Sequence, residues 1–182
     1  MKRLLLLALI TVIGVIKISA QEIDMSQENP TAARIEELSQ EVVELSQKLE
    51  KLQEDYEYLA LVNQLNDVHN DVEIFTNHVK IKTNEIVVRC YNSSFDIDLY
   101  LLDKDMYDQF QDFYDLYSHE RDELSKQISN LTFSNEKQYH INIRYDMLNR
   151  ALSTLEYSIY CYKRYLDIYK KLGKGFQCFS LR

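Results

Sequence analysis

The stretch IEELSQEVVELSQKLEKLQEDYEYL, residues 35–59, decides the fold of this 182-residue chain. Its apolar side chains recur at alternating steps of three and four residues, which is the spacing of one face of an α-helix. The same spacing continues over most of the chain, and no glycine or proline occurs between Pro30 and Gly173. Because these two residues punctuate helices and tight turns, their absence predicts a few very long helices. The predicted fold is all-α: a long N-terminal coiled-coil helix that continues into an antiparallel three-helix bundle.

The seven-residue spacing within this stretch predicts a coiled-coil stalk over residues 30–60. β-Branched residues and leucines dominate the two core positions, a pattern that favours a parallel pair of helices, although the flanking charges leave the number of chains open. We expect this face to contact another copy of the chain in a homo-oligomer. The predicted oligomer interface, here named the leading stripe, comprises Ile35, Leu38, Val42, Leu45, Leu49, Leu52, Tyr56 and Leu59.

After Leu59 the apolar residues move to the other side of the same predicted helix. They are displaced by two positions, which corresponds to about 200° at 3.6 residues per turn. We therefore expect residues 61–173 to form the bundle while the leading stripe contacts another chain. The alternative is a single intrachain bundle with a kink near Tyr58. The second apolar face comprises Leu61, Leu65, Val68, Val72, Phe75, Val79 and Ile86.

Turn-prone side chains cluster in residues 91–94 and 130–135 and divide the rest of the chain into two further helices. Ser94, Asp96 or Asp98 is expected to cap the second helix, and Ser134 the third. The third helix is expected to end at Gly173, because glycine readily adopts the left-handed conformation that closes helices. Residues 174–182 would then form a C-terminal tail. The predicted core of the second helix comprises Leu99, Leu102, Met106, Phe110, Phe113, Tyr117, Leu124, Ile128 and Leu131. That of the third helix comprises Ile141, Tyr145, Leu148, Leu152, Leu155, Ile159, Tyr162, Leu166 and Tyr169.

The N-terminal segment predicts a signal peptide over residues 1–20. Lys2 and Arg3 precede an apolar run of about 13 residues, and Ala20 supplies a small residue at the cleavage site. A membrane-spanning helix needs about 20 apolar residues, so no integral membrane segment is expected after signal removal. We expect an exported protein, periplasmic or extracellular, with a disordered leader over residues 21–29.

The charge balance argues against nucleic acid as a partner. The signal segment contains three of the 21 basic side chains and none of the 29 acidic ones, so its removal leaves a net charge of about −11. A chain this acidic repels phosphate backbones, and no basic stripe interleaved with aromatic residues offsets the repulsion.

Fourteen tyrosines and no tryptophan give the chain an unusual aromatic composition. One interpretation is that the rings flank a thin core while their hydroxyls stay in water. The other is a recognition surface for an unidentified protein partner, because tyrosine supplies a large contact area. The predicted partner surface comprises Tyr100, Tyr107, Tyr160 and Tyr165.

Three cysteines in an exported chain allow at most one intrachain disulfide. Helix lengths place all three near one end of the bundle, and the preferred pair is Cys90 with Cys178, which would attach the tail to the body. Cys90 with Cys161 is the second choice, and three reduced thiols are a further alternative. No metal site is expected, because the four histidines show no ligand spacing with one another.

No catalytic motif or phosphate-binding loop occurs in the sequence, so we expect no enzymatic activity and no cofactor. The predicted function is that of an exported oligomeric spacer or protein-binding module. The alternative is a cell-envelope holdase-type chaperone, since long helical arms on an oligomeric base are similar in outline to the tentacled periplasmic chaperones. That similarity concerns shape alone, and the acidic charge of this chain departs from their basic character. A third hypothesis is an enzyme with an unrecognised site between helices.

Overall fold

A computed structural model describes the backbone of residues 30–92 and 94–179, and the side chains of residues 33–92 and 94–173. This part of the chain forms three helices: α1 (Pro30–Tyr91), α2 (Ile97–Asn130) and α3 (Asn135–Phe179). The all-α prediction is confirmed, since the described residues form helices and short connections without a strand. The predicted signal peptide and leader lie outside the described residues.

The chain divides into two compact units, of which the first ends at Tyr56 and the second begins at Glu57. Within the second unit, the part of α1 after Glu57 packs with α2 and α3 around one hydrophobic core. The second apolar face of α1 was predicted correctly, because most of its members are buried and Val68 and Phe75 are partly buried against the core. The fully buried core residues of α1 and α3 include Leu61, Leu65, Val72, Val79, Ile86, Ile141, Leu148, Leu155 and Tyr162.

The N-terminal ends of α2 and α3 follow the predicted turn chemistry. Asp96 caps α2, because its side chain accepts hydrogen bonds from the backbone N–H groups of Asp98 (2.9 Å) and Leu99 (3.1 Å). The backbone N–H of Asp96 in turn donates to the hydroxyl of Tyr169 on α3 (2.9 Å). At the second turn, the carbonyl of Ser134 accepts the first hydrogen bond of α3, from the N–H of Gln138 (2.9 Å). Asp96, one of the three residues predicted to cap α2, is therefore confirmed as its cap, and Ser134 occupies the predicted N-cap position of α3.

The predicted core row of α2 is wrong in part. Leu99, Leu102 and Phe113 are exposed, whereas Phe110 is buried as predicted and Met106 is partly buried. The later members of the predicted row are buried or partly buried as predicted: Tyr117, Leu124, Ile128 and Leu131. In the first part of α2 a neighbouring row faces the bundle, where lysines of α3 lie over tyrosine rings and the carboxylate of Asp103 pairs with Arg89. This buried or partly buried row comprises Tyr100, Asp103, Tyr107, Phe110 and Tyr114.

The prediction that α3 ends at Gly173 is also wrong, because the helix continues to Phe179. The backbone of the predicted C-terminal tail is therefore helical as far as Phe179. The φ angle of Gly173 lies outside the left-handed region, so the residue does not close the helix. A Cβ atom at this position would lie 2.5 Å from ring atoms of Phe95, which belongs to the connection between α1 and α2. Glycine is needed here because an aromatic ring approaches the helix backbone closely.

Candidate functional site

The leading stripe is the first candidate interaction surface. In the first unit, Leu45 is 62% exposed, Leu52 is 65% exposed and Tyr56 is 74% exposed, while Ile35 and Val42 are partly buried. In the second unit, Leu59 is also exposed. Exposed apolar side chains that recur along one face of a helix are typical of a surface that another protein covers. The structure therefore leaves most of the predicted oligomer interface open to solvent.

The four tyrosines of the predicted partner surface fall into two groups. Tyr100, Tyr107 and Tyr165 are partly buried and pack against the hydrophobic core. Lysine side chains of α3 lie over two of these rings: Lys170 Nζ is 5.9 Å from the centroid of Tyr100, and Lys163 Nζ is 5.5 Å from that of Tyr107. Tyr160 is exposed and stacks on Tyr157 at a centroid distance of 6.4 Å. Three of the four rings thus flank the core, and Tyr160 is the one that presents its ring to solvent.

A third surface lies between α1 and α2. It is a solvent-open groove of about 620 Å³, here named the α1–α2 groove. The sequence does not predict this groove, because Leu99 and Leu102 belong to the predicted core row of α2. A signal was available, since Ile74, Ile81 and Val88 recur every seven residues outside the predicted core face of α1, and all three are exposed. Residues that line the groove include Ile81, Lys82, Glu85, Val88, Leu99, Leu102 and Met106.

A buried ion pair, also missed from the sequence, lies beside this groove. Asp103 on α2 is only 4% exposed. Arg89 Nη2 donates a hydrogen bond to Asp103 Oδ1 (3.1 Å), and Nη1 lies 2.9 Å from Oδ2 in an ion pair that lacks hydrogen-bond alignment. The guanidinium of Arg89 also lies 5.5 Å from the ring centroid of Tyr169. The pair therefore joins all three helices. The indication in the sequence was that Asp103 lies on the same helix face as Tyr100 and Tyr107.

Tyr162 on α3 completes this cluster, because its hydroxyl donates a hydrogen bond to the backbone carbonyl of Asp103 (3.0 Å). Burial, and secondarily the charge of Asp103, raises the pKa of Tyr162 well above its ordinary value of 10.0. At alkaline pH the unfolded chain would therefore ionise this phenol before the folded chain does. The contribution of Tyr162 to stability is complete below pH 10 and is lost as the pH rises above that value.

We expect Tyr162→Phe to make the free energy of unfolding less dependent on pH above pH 10, because the variant has no phenol to ionise at this buried position. Urea unfolding of wild type and variant below and above pH 10 measures the difference. Tyr139→Phe is the matched control, because Tyr139 is exposed on the same helix. Equal pH dependence in wild type and Tyr162→Phe would contradict the role assigned to the buried hydroxyl.

The structure describes two of the three cysteines. Cys90 and Cys161 are not joined to each other, so the second choice of disulfide is wrong. Burial raises the pKa of Cys90, with Arg89 acting in the opposite direction, and a thiol with a raised pKa is a weak nucleophile at neutral pH. The side chain of Cys178 lies outside the described residues, so its pairing with Cys90 stays a prediction.

The described residues contain neither a metal-binding cluster nor a membrane-spanning helix. No group of three or more His, Cys, Asp or Glu side chains there has the proximity to hold a metal ion. None of the described helices combines the length and hydropathy that crossing a membrane requires.

Comparisons with known proteins were made at the level of family models, curated sequences and solved structures, and none of the three found a match. The surfaces of this chain are therefore the observations that bear on its function. The candidates are the exposed leading stripe and the α1–α2 groove.

Proposed function

We propose that this chain is an exported, non-enzymatic helical protein that self-associates through the leading stripe and presents its second unit as a spacer or protein-binding module. The observation that supports self-association is the exposure of Leu45, Leu49, Leu52 and Tyr56 at coiled-coil spacing. Complete burial of one leucine side chain is worth about 1.5–3 kcal/mol, so covering several of them favours association strongly.

The proposed arrangement is a coiled coil over residues 30–60 and an antiparallel three-helix bundle after it. Contacts between α2 and α3 support the antiparallel order, because Tyr100 lies under Lys170 whereas the later Tyr107 lies under the earlier Lys163. At the other end of the second unit, Tyr58 contacts Phe133 in the turn between α2 and α3, with ring centroids 6.1 Å apart. A rigid bundle of this kind suits a spacer or a platform for binding.

We expect the double substitution Leu45→Gln, Leu52→Gln to reduce the mass in solution from that of an oligomer to that of a monomer. The two glutamines keep the helix propensity and remove the apolar contacts at the centre of the stripe. Sedimentation equilibrium of the exported protein measures the mass, and circular dichroism checks that the helices remain.

The matched control is Leu101→Gln, which changes an exposed leucine on α2 outside the leading stripe. A monomeric wild type over the whole concentration range would refute self-association. An oligomer that persists unchanged in the double variant would refute the assignment to this stripe.

A second candidate function is a cell-envelope holdase chaperone with helical arms. The exposed apolar side chains of the α1–α2 groove favour it, because holdases bind unfolded clients through such surfaces. The protein would then have to suppress the aggregation of an unfolded client, and a client that aggregates at the same rate in its presence would exclude this function.

A further inference from the structure

The walls of the α1–α2 groove are apolar and belong to two neighbouring helices. Ile81 and Val88 contribute from α1, and Leu99 and Leu102 contribute from α2; all four are exposed, Leu102 to 57%. A groove between two packed helices accepts a further helix whose apolar side fits between them, as in helix-in-groove recognition. The shape and composition of the groove therefore fit an amphipathic helix.

The polar margin of the groove is acidic. Glu85 lines the groove directly. Asp98 and Asp105 lie four residues before and three residues after Leu102, so both are its neighbours on the surface of α2, and both are exposed. The four charged side chains that line the groove form two ion pairs, Lys82 with Glu85 at 3.0 Å and Arg89 with Asp103. The acidic excess of the margin therefore comes from Asp98 and Asp105. A ligand with basic side chains beside its apolar stripe would complement this margin.

The same charges disfavour a second copy of this chain as the occupant. The helix that contains the leading stripe contributes only three basic side chains over residues 30–59, against eight acidic ones. Placing it beside the groove would bring acidic side chains against Asp98 and Asp105. Like charges brought together at an interface oppose association.

We propose that the α1–α2 groove is the docking site for an amphipathic helix of another protein, with an apolar stripe flanked by lysine and arginine. This inference deepens the proposed function, because it assigns a surface and a chemical class of partner to the binding module. The apolar stripe of the partner contacts Ile81, Val88, Leu99 and Leu102, and its basic flanks face the acidic margin.

The test uses the full chain and a synthetic peptide of leucine and lysine, about 18 residues or five helical turns long, with all leucines on one face. Fluorescence anisotropy of the labelled peptide measures binding. Leu102→Gln is expected to weaken binding roughly tenfold, because it places a polar side chain in the apolar wall. Leu101→Gln is the matched control: this neighbour is 50% exposed and does not line the groove, so its substitution is expected to leave binding unchanged.

Two further peptides test the chemistry of the partner. A leucine and glutamate peptide of the same pattern is expected to bind at least tenfold more weakly, because its acidic flanks face acidic residues. A scrambled leucine and lysine peptide without a continuous apolar face is expected to bind as weakly as the leucine and glutamate peptide. If the scrambled peptide bound as tightly as the patterned leucine and lysine peptide, the proposal would be overturned in favour of unselective, holdase-type binding. If Leu101→Gln and Leu102→Gln weakened binding equally, the assignment to the groove would be overturned.

The same titration in the Leu45→Gln, Leu52→Gln background separates this inference from self-association. We expect peptide binding to be retained there, because neither residue lines the groove. A monomeric wild type that binds the peptide selectively would refute self-association alone, whereas an oligomer that does not bind it would refute the groove alone.

Discussion

Arg89→Leu is expected to destabilise the protein by about 3–5 kcal/mol, because it leaves the carboxylate of Asp103 buried without its cationic partner. The side chain of Asp103 is 5% exposed and that of Arg89 is 18% exposed, so water does not replace the lost contact. The substitution also removes the guanidinium from the face of Tyr169, which weakens a second connection to α3. Urea unfolding monitored by circular dichroism measures the loss.

The double variant Arg89→Leu, Asp103→Leu tests the reason for that loss. We expect it to be more stable than Arg89→Leu alone, because replacing both members of a buried ion pair by apolar residues removes the uncompensated charge. Lys126→Leu is the exposed control, since it breaks the surface pair with Glu123 and should leave the unfolding midpoint unchanged. A single Arg89→Leu variant as stable as wild type would show that the pair is not important for stability.

Gly173→Ala is expected to destabilise the protein by about 1–3 kcal/mol, which is the usual cost of overpacking. The sign of this change in the free energy of unfolding is informative, because a glycine-to-alanine substitution inside an ordinary helix stabilises a protein by roughly 0.5–1 kcal/mol. Here the new methyl group would meet the ring of Phe95 at 2.5 Å. The ring is held between Tyr169 (5.1 Å) and Tyr100 (6.1 Å), so it can move away only by disturbing those contacts. Thermal unfolding measures the change.

A double-mutant cycle with Phe95→Ala tests this explanation. Without the ring, Gly173→Ala should be neutral or stabilising, because only the ordinary helix propensity remains. The same destabilisation in both backgrounds would mean that the cost does not come from the approach of Phe95.

The faces of α1 and α3 were predictable because one apolar row dominates each of them. In the second unit, the row of α1 that contains Leu65, Val72 and Val79 is longer than the exposed row of Ile74, Ile81 and Val88, and the longer row is the buried one. In α2 two rows compete. One contains Leu99, Met106 and Phe113, and the other contains Tyr100, Tyr107 and Tyr114, so hydrophobicity alone selects the first although the second faces the bundle.

The two candidate surfaces also differ in how far the sequence predicts them. The leading stripe was predicted from its spacing, and the exposure of Leu45 and Leu52 is consistent with the proposed role in association. The sequence indicates only the α1 side of the α1–α2 groove, through the row of Ile74, Ile81 and Val88, because the α2 wall depends on Leu99 and Leu102 lying outside the core. The contact between Arg89 and Asp103 also required the fold, since these residues belong to different helices.

Periodicity, capping and turn formation depend on residues a few positions apart, so the sequence predicts the all-helical class, the two turns and the N-cap position of α3, and it narrows the cap of α2 to three residues. The buried face of the first part of α2, the need for glycine at residue 173 and the place of the groove follow only from the folded structure. These features depend on side chains from different helices meeting in space. The rotation of a helix is set by the total of such contacts, so the hydrophobicity of one helix alone does not specify it.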